Sequence, residues 1–334
     1  MERARPTMKD VAIAADVSLK TVSRVVNGEP GVTPDTEQRV REAIKTLGFR
    51  RNDSARLLRT GQAATVGLVL EDIGDPFYSA LSRGVEGVAR ARGSLLISGS
   101  SDADPGTERV LALTLCARRV DGLIIVPTDS DHGFLVPEMT AGVPVVFADR
   151  PPGEIVADTV LSDNSGGAAE GTAHLIAGGH RGIGYIGANR DIFTARERYR
   201  GYRSAMSAAD LPVAASWVTM GTPTTASVQG ALERMLVGQE PVTAIFCGNN
   251  RISVLALHVL AALRQTVAMV GFDDFELADL LGVTVIAQDT EELGRQAAEL
   301  LFQRLGGDKS PPHRIVIPTR MIGRGSGELR PAAR

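Results

Sequence analysis

Basic and hydroxyl side chains cluster between residues 18 and 27, in a stretch with the spacing of a short helix. Val22 and Val25 lie three positions apart and predict the buried face of that helix. Lys20 and Arg24 then face outward, and both can donate hydrogen bonds to O6 and N7 of guanine. A helix of this kind can read DNA by placing its N-terminal end against base edges. The residues predicted to contact DNA here are Ser18, Leu19, Lys20, Thr21, Ser23, Arg24 and Asn27.

Two further helices are predicted to hold this one in place. A first helix precedes it, with a turn over residues 15–17 in which Asp16 can adopt the left-handed conformation. Ser18 is predicted to cap the second helix, because its hydroxyl can accept from free N–H groups of the first turn. A third helix is predicted to run from its cap, Thr33, to Gly48, which ends it. Helix spacing alone also fits a small structural bundle, so that alternative stays open at this point.

The charge of the chain is unevenly distributed. Residues 1–60 contain 12 Lys and Arg against 8 Asp and Glu, whereas the rest of the chain has a net charge of −7, within a total of −3. A basic head on an acidic body fits a head that binds a polyanion. No apolar run reaches the roughly 18–20 residues that span a bilayer, and no secretory signal is recognisable. Since Cys116 and Cys247 are expected to be buried thiols, we expect a cytoplasmic protein without a membrane partner.

Beyond residue 62, short apolar runs alternate with helical stretches. Runs without polar alternation are typical of parallel strands that are covered on both faces. The predicted strands occupy residues 65–70, 95–97, 122–126, 143–147, 183–186, 243–246, 267–270 and 283–286. So many strands indicate two doubly wound sheets, with a break near residues 163–167. Because ligands bind beyond the carboxyl ends of such strands, a ligand is expected in the cleft between two lobes.

Other chemistry finds little support in the sequence. Residues 182–187 have the Gly-x-Gly-x-x-Gly spacing of a dinucleotide site, but they form a predicted strand rather than the turn that opens a helix. The five histidines are scattered, without an i, i+4 pair or a Cys-x-x-Cys, so no metal site is predicted. The sequence contains no phosphate loop, nucleophile elbow or catalytic carboxylate pair. We therefore expect no catalytic residue, no metal and no cofactor, and we do not expect an enzyme.

Ordered motifs run along nearly the whole chain. They include Lys-Asp-Val-Ala at residues 9–12, Thr-Val-Ser-Arg-Val-Val-Asn-Gly at 21–28, Ala-Arg-Leu-Leu-Arg-Thr-Gly at 55–61, Asp-Pro-Phe-Tyr at 75–78, Arg-Val-Asp-Gly-Leu-Ile at 119–124, Gly-His-Arg at 179–181 and Val-Gly-Phe-Asp-Asp at 270–274. With these motifs in this order, the chain resembles the LacI (lactose-repressor) family of bacterial transcription regulators. The resemblance implies an N-terminal all-α helix-turn-helix head and a two-lobed α/β domain of doubly wound parallel sheets, like a periplasmic binding protein.

The resemblance also implies a division of the chain. Residues 1–50 would form the DNA-binding head, residues 51–62 a hinge helix or linker, and residues 63–334 an effector-binding and dimerisation domain. Lobe 1 would comprise about residues 63–163 and 291–318, and lobe 2 about residues 164–290 and 319–330.

In the LacI family the hinge folds into a short helix on DNA, and a leucine from each subunit wedges into the minor groove. The matching residue is Leu58, with Ala55 beside it and Asn52 at the start of the segment. Alternatively, Leu58 docks on the protein's own core as part of a linker. Arg51 stands where the family usually has a proline, so we expect a looser entry into the hinge.

The family's effector pocket lies between the lobes, and four residues match its main contacts. Arg198 matches the anchoring arginine, Asp273 an acceptor opposite it, Asn249 an amide contact and Phe77 a ring beside the ligand. Polar groups around an apolar ring suit a sugar, which has polar rims and apolar faces. Further candidates, for which surface or capping roles are the alternative, are Tyr78, Asp149, Arg196 and Gln288.

The sequence thus predicts a repressor that binds palindromic operator DNA as a homodimer and is controlled by a small effector, expected to be a sugar. Two alternatives remain: a sugar-binding protein or enzyme on a similar fold, and a repressor without an effector. Two departures bear on the pocket. Asn250 replaces a usual aspartate, and the loop at residues 264–266 is shorter than in the family.

Overall fold

A computed structural model describes residues 6–49, 63–128, 130–237 and 241–331. The chain divides into two compact units, Met1–Ala63 and Ala64–Arg334. The predicted hinge contacts Asn52, Ala55 and Leu58 lie outside the described residues. No helix in the described ranges is long and apolar enough to cross a membrane.

The first unit contains three helices: α1 (Met8–Ala14), α2 (Leu19–Asn27) and α3 (Pro34–Leu47). Val11, Val22 and Val40, one from each helix, are fully buried against one another in a single apolar cluster. Asp16 has φ 51° in the turn before α2, as predicted. Thr33 stands at the N-cap of α3, but its hydroxyl donates to Thr36 Oγ1 at 2.9 Å rather than capping the helix.

The second unit contains two six-stranded sheets. The elements of its first part are β1 (Thr65–Leu70), α4 (Pro76–Ala91), β2 (Leu95–Ser100), α5 (Pro105–Ala117), β3 (Gly122–Ile125), α6 (Val136–Thr140), β4 (Val145–Ala148) and β5 (Asp158–Ser162). Together with β11 (Arg314–Ile317) they form lobe 1, whose all-parallel strand order is β11-β5-β4-β3-β1-β2. The strands between the edges are buried because helices cover both faces.

Lobe 2 is built in the same way. Its elements are α7 (Asn164–Ala177), β6 (Ile183–Gly187), α8 (Phe193–Ala208), β7 (Val218–Met220), α9 (Thr225–Val237), β8 (Ala244–Cys247), α10 (Asn250–Leu263), β9 (Ala268–Phe272), β10 (Thr284–Ala287) and β12 (Arg320–Ile322). The strand order is β12-β10-β9-β8-β6-β7, and only β12 runs antiparallel to its neighbour. The Gly-x-Gly-x-x-Gly string is strand β6, which confirms that it is not a turn opening a helix.

The chain passes between the lobes three times. It leaves lobe 1 after β5, returns through α11 (Thr290–Leu305), and enters lobe 2 again between β11 and β12. Helix α11 packs closely on α4, where a Cβ on Gly84 would overlap the main chain of Glu291. The predicted fold of two doubly wound sheets is therefore confirmed. The carboxyl ends of the strands in both sheets face one cleft.

Candidate functional site

The predicted DNA-reading residues lie on the exposed part of α2 and just before it. Ser18 caps the helix as predicted, because its Oγ accepts from the main-chain N–H of Thr21 at 3.1 Å. Leu19 is 46% exposed and Lys20 is exposed beside it, at the N-terminal end of the helix. The N-terminal end of α2 therefore presents one apolar and one cationic side chain to solvent, at the end from which a recognition helix can contact base edges.

The other residues of this face are half-buried and partly engaged with one another. The Ser18 and Thr21 hydroxyls are 2.8 Å apart, and Asn27 Nδ2 donates to Ser23 Oγ at 3.2 Å. Arg24 is half-buried next to Gly31. These bonds orient the hydroxyls, and neither of them involves Lys20 or Arg24. The face therefore combines oriented polar groups with an exposed cation, Lys20, and a half-buried one, Arg24.

The second candidate site is the cleft between the lobes, with a volume of about 660 Å³. Its walls come from residues that directly follow the strands. Glu71 follows β1, Asp149 and Arg150 follow β4, Asn249 lies two residues after β8, and Asp273 follows β9. Asp149 and Asp273 have φ of 66° and 69°, so the backbone turns sharply at each strand end and directs the side chain into the wall.

Arg198 is the centre of the lobe 2 wall. Its Nε donates to Asn164 Oδ1 at 2.7 Å, and its Nη1 donates to the Gly248 carbonyl at 2.8 Å and to Asp273 Oδ2 at 3.0 Å. Its Cζ lies 3.9 Å from the centre of the Phe272 ring. The guanidinium is therefore held rigidly, and among the described residues its Nη2 is the nitrogen without a hydrogen-bond partner. A fixed donor of this kind can orient a ligand at little entropic cost.

The lobe 1 wall contains a second buried charge cluster. Arg150 Nη2 donates to Glu71 Oε2 at 2.7 Å and to the Tyr78 hydroxyl at 3.0 Å, while Tyr78 donates to the same Glu71 oxygen. Burial raises the pKa of Tyr78 well above its ordinary value, so the phenol stays protonated. Tyr78 therefore supports the wall through this network.

Asp149 lies beside this cluster and is 3% exposed. Its Oδ2 is 3.3 Å from Arg150 Nε, whereas its Oδ1 is buried without a donor in the described part of the chain. Burial raises the pKa of Asp149, against the attraction of Arg150 and Arg198. A buried acceptor without a donor is costly, and a ligand hydroxyl would satisfy it.

The structure brings most of the predicted effector residues together, but not all. Phe77, Tyr78, Asp149, Arg198, Asn249 and Asp273 line the cleft. Gln288 lies behind it and donates to Asp273 Oδ1 at 2.5 Å, so it supports a wall residue. Arg196 lies outside the cleft, where its Nη1 donates to main-chain oxygens of Arg190 and Asp191. Two residues along a helix differ by about 200° in direction, which explains why Arg196 and Arg198 point apart.

Two neighbouring residues of α10, Asn250 and Arg251, join the lobes at the edge of the cleft. Arg251 Nη2 donates to Asp72 Oδ2 at 3.0 Å, and its Nε is 3.3 Å from Asp75 Oδ2. Asn250, at the position where an aspartate was expected, donates weakly to Asp75 at 3.4 Å. An aspartate there would repel Asp75, so the departure from the family pattern favours contact between the lobes.

Sequence reasoning missed Glu71, Arg150, Asn164 and Arg251. A usable signal existed for the first two, because they follow strands β1 and β4 at the edge where ligands bind. Asn164 offers no such signal: it begins α7 and reaches Arg198 only through the tertiary fold. Arg251 is likewise a helix residue whose carboxylate partners lie in the other lobe.

Comparison with known proteins agrees with this architecture. Residues 7–52 match the family of bacterial regulatory proteins of the lacI type, and residues 172–327 match the periplasmic binding protein-like domain. The transcriptional regulator CelR of Thermobifida fusca is 35% identical over 97% of this chain and 99% of its own. The maltose regulon regulatory protein MalI of Escherichia coli is 32% identical over 95% of this chain and 97% of its own.

Solved structures give the same picture. A complex of CelR with cellobiose has a TM-score of 0.71 at 34% identity, covering 97% of this chain and all of that one. The lac repressor dimer bound to operator has a TM-score of 0.87 and covers 98% of this chain and all of that one, and at 23% identity it shows the fold alone. The resemblance inferred from sequence motifs is confirmed. This chain belongs to the LacI family of bacterial regulatory proteins, helix-turn-helix transcription regulators that typically bind operator DNA as dimers.

Proposed function

We propose that the chain is a dimeric repressor that binds a palindromic operator through α2 and releases it when a neutral sugar fills the cleft. Residues 1–50 act as the reading head, residues 51–62 as the hinge and residues 63–334 as the effector-binding and dimerisation domain. In this proposal Asn52, Ala55 and Leu58 contact DNA together with the α2 face.

The single observation that carries the effector assignment is the unsatisfied Oδ1 of Asp149. It calls for a hydroxyl or amine donor. Among the residues that line the cleft, five carboxylates outnumber three guanidiniums, which disfavours an anionic effector. The Phe77 ring provides the apolar surface on which a sugar face can pack. Together these features favour an uncharged polyhydroxyl ligand, and cellobiose, found in the CelR complex, is the first ligand to test.

Dimerisation is supported by apolar side chains that the described structure leaves in water. On lobe 1, Leu95 and Ile97 of edge strand β2 are 69% and 43% exposed. On lobe 2, Leu277, Leu280 and Leu281 are 55%, 80% and 54% exposed in one loop. An exposed apolar patch on each lobe suits contact with a second copy of the chain, since a two-fold interface uses the same patches on both subunits. A palindromic operator has two half-sites, so it also requires two copies of helix α2.

Selection of binding sites from random duplex DNA by the full chain tests the proposal. We expect two inverted half-sites, and we expect cellobiose or another uncharged sugar from a panel to reduce binding in a gel shift. Lys20→Ala should weaken DNA binding and leave sugar binding, measured by calorimetry, unchanged. Selected sites without two-fold symmetry would contradict the dimeric operator model, and a panel without any binding sugar would contradict the effector.

A further inference from the structure

A second groove lies on lobe 2, on the side of α8 that faces away from Arg198. Its volume is about 530 Å³. Its lining consists of Arg190, Arg196, Tyr199, Arg200, Arg203, Ser204, Ser207 and Met220. The groove shares no lining residue with the effector cleft, and neither the DNA-reading face nor the proposed effector site uses it.

The charge of this groove is strongly positive within an acidic body. Four of its eight lining residues are arginines, all exposed. Arg200 pairs with Glu197, but no ion pair in the described ranges involves Arg190, Arg196 or Arg203. Three uncompensated guanidiniums so close together repel one another, and an anionic partner would relieve that repulsion.

The guanidiniums are partly pre-arranged. Arg190 and Arg203 lie over the Tyr199 ring, with Cζ at 5.4 Å and 6.0 Å from its centre. Arg196 is held by two main-chain oxygens through its Nη1, which leaves its other nitrogens available. Stacked or tethered arginines lose less freedom when they bind, so the cluster is better suited to a partner than free surface arginines are.

The shape of the groove indicates an elongated partner. Arg196, Arg200, Arg203 and Ser207 follow one another at helical spacing, so this face of α8 extends about 16 Å. That length exceeds a single phosphate and matches about five residues of extended peptide. Met220 ends β7, the edge strand of the sheet, whose outer main-chain groups have no neighbouring strand in the described structure. Half-buried Tyr199 and Met220 supply an apolar floor.

We propose that this groove binds an acidic, extended peptide segment of a partner protein. Carboxylates of the segment pair with the arginines of α8, alternate apolar side chains contact Tyr199 and Met220, and the main chain lies along the edge of β7. Because the groove shares no lining residue with the cleft, lobe 2 can recruit another protein through this contact while the head holds DNA.

Fluorescence anisotropy with a labelled eight-residue peptide of alternating Glu and Val tests the proposal on the full chain. We expect the peptide to bind, and an otherwise identical Gln and Val peptide not to bind. The double variant Arg190→Gln/Arg203→Gln should bind the acidic peptide at least tenfold more weakly. Arg181→Gln, an exposed arginine of the same lobe outside the groove, is the matched control and should bind as the wild type does.

Two further measurements make the result decisive. The emission of Trp217, buried in lobe 2, should be the same in both variants, which shows that neither is misfolded. Equal peptide affinity in the double variant and the wild type overturns the proposal. The affinities of both proteins for pyrophosphate and for random duplex DNA are the second measurement. The proposal is also overturned if the acidic peptide fails to bind the wild type while the double variant loses affinity for either of these anions. The groove would then bind a different anion.

Discussion

Arg198→Met should destabilise lobe 2 as well as impair effector binding. The substitution keeps a long apolar stem but removes the guanidinium that is 5% exposed and bonded to Asn164, Gly248 and Asp273. It leaves Asp273, 8% exposed, as a buried carboxylate without its cation. Breaking a buried ion pair in this way lowers the free energy of unfolding by about 3–5 kcal/mol. At about 2–4 °C per kcal/mol for a domain of this size, the thermal midpoint should fall by roughly 6–20 °C.

The assay uses the emission of Trp217, the only tryptophan in the chain, which is buried in the same lobe. Urea and thermal unfolding of the full chain, followed at this residue, report on lobe 2 directly. The matched control is Arg200→Met, two residues further on the same helix, whose exposed pair with Glu197 should contribute less than about 1 kcal/mol.

A double-mutant cycle separates the ion pair from other effects of the substitution. The double variant Asp273→Asn/Arg198→Met should lose less free energy of unfolding than the sum of the losses in the two single variants. The difference should be about 1–3 kcal/mol, because the double variant leaves no unpaired charge. If Arg198→Met unfolds at the wild-type midpoint, or if the costs of the two single variants simply add, the guanidinium does not hold the wall of the cleft and the reasoning fails.

Three other outcomes are expected. Arg24→Ala should weaken binding to the selected operator by about 1–3 kcal/mol and relax the sequence specificity at one base position, whereas Lys45→Ala should do neither. An equal loss of affinity for random DNA in gel shifts would mean that Arg24 contacts only phosphate. Burial raises the pKa of Asp149, and a hydrogen bond from a ligand hydroxyl favours the ionised carboxylate. Sugar affinity, measured by calorimetry, should therefore increase as the pH rises through that pKa, and Asp149→Asn should abolish this pH dependence. A wild-type affinity that does not change with pH contradicts this. Arg304→Met should lower the free energy of unfolding by about 3–5 kcal/mol, because Arg304 Nε and Nη2 donate to buried Asp158 at 2.7 and 2.9 Å. Denaturation followed by circular dichroism measures this loss, and a midpoint equal to that of the wild type would show that the pair contributes nothing.

The main strands of both sheets were predictable because they are uninterrupted apolar runs. Strands β5, β7, β11 and β12 were not predicted. Three of them are short edge strands, half-exposed and with mixed polarity, so their pairing depends on the neighbouring strand rather than on their own pattern. β5 is not an edge strand, but it begins at Asp158, a buried carboxylate whose partner Arg304 lies 146 residues further along the chain.

The cleft shows a similar division between predictable and unpredictable features. Asp149 and Asp273 lie in the wall because they directly follow strands β4 and β9, and the resemblance to the LacI family had already named both as candidates. The direct pairing of Arg198 with Asp273 was not foreseen, since the sequence suggested that the two would face a ligand from opposite sides. A linear sequence gives the position of a residue on its element but not the distance between side chains of different elements. Such distances depend on tertiary packing.

The threefold passage of the chain between the lobes has a consequence for synthesis on the ribosome. Lobe 1 receives its edge strand β11 and its covering helix α11 only after every strand of lobe 2 except β12 has been made. The first five strands of lobe 1 must therefore wait, with an apolar face uncovered, while about 130 more residues are translated. At typical rates of about 5–20 residues per second this interval lasts on the order of ten seconds. Chaperone demand should accordingly be concentrated on the nascent first half, and a slow codon cluster before residue 290 should lower the yield of native protein.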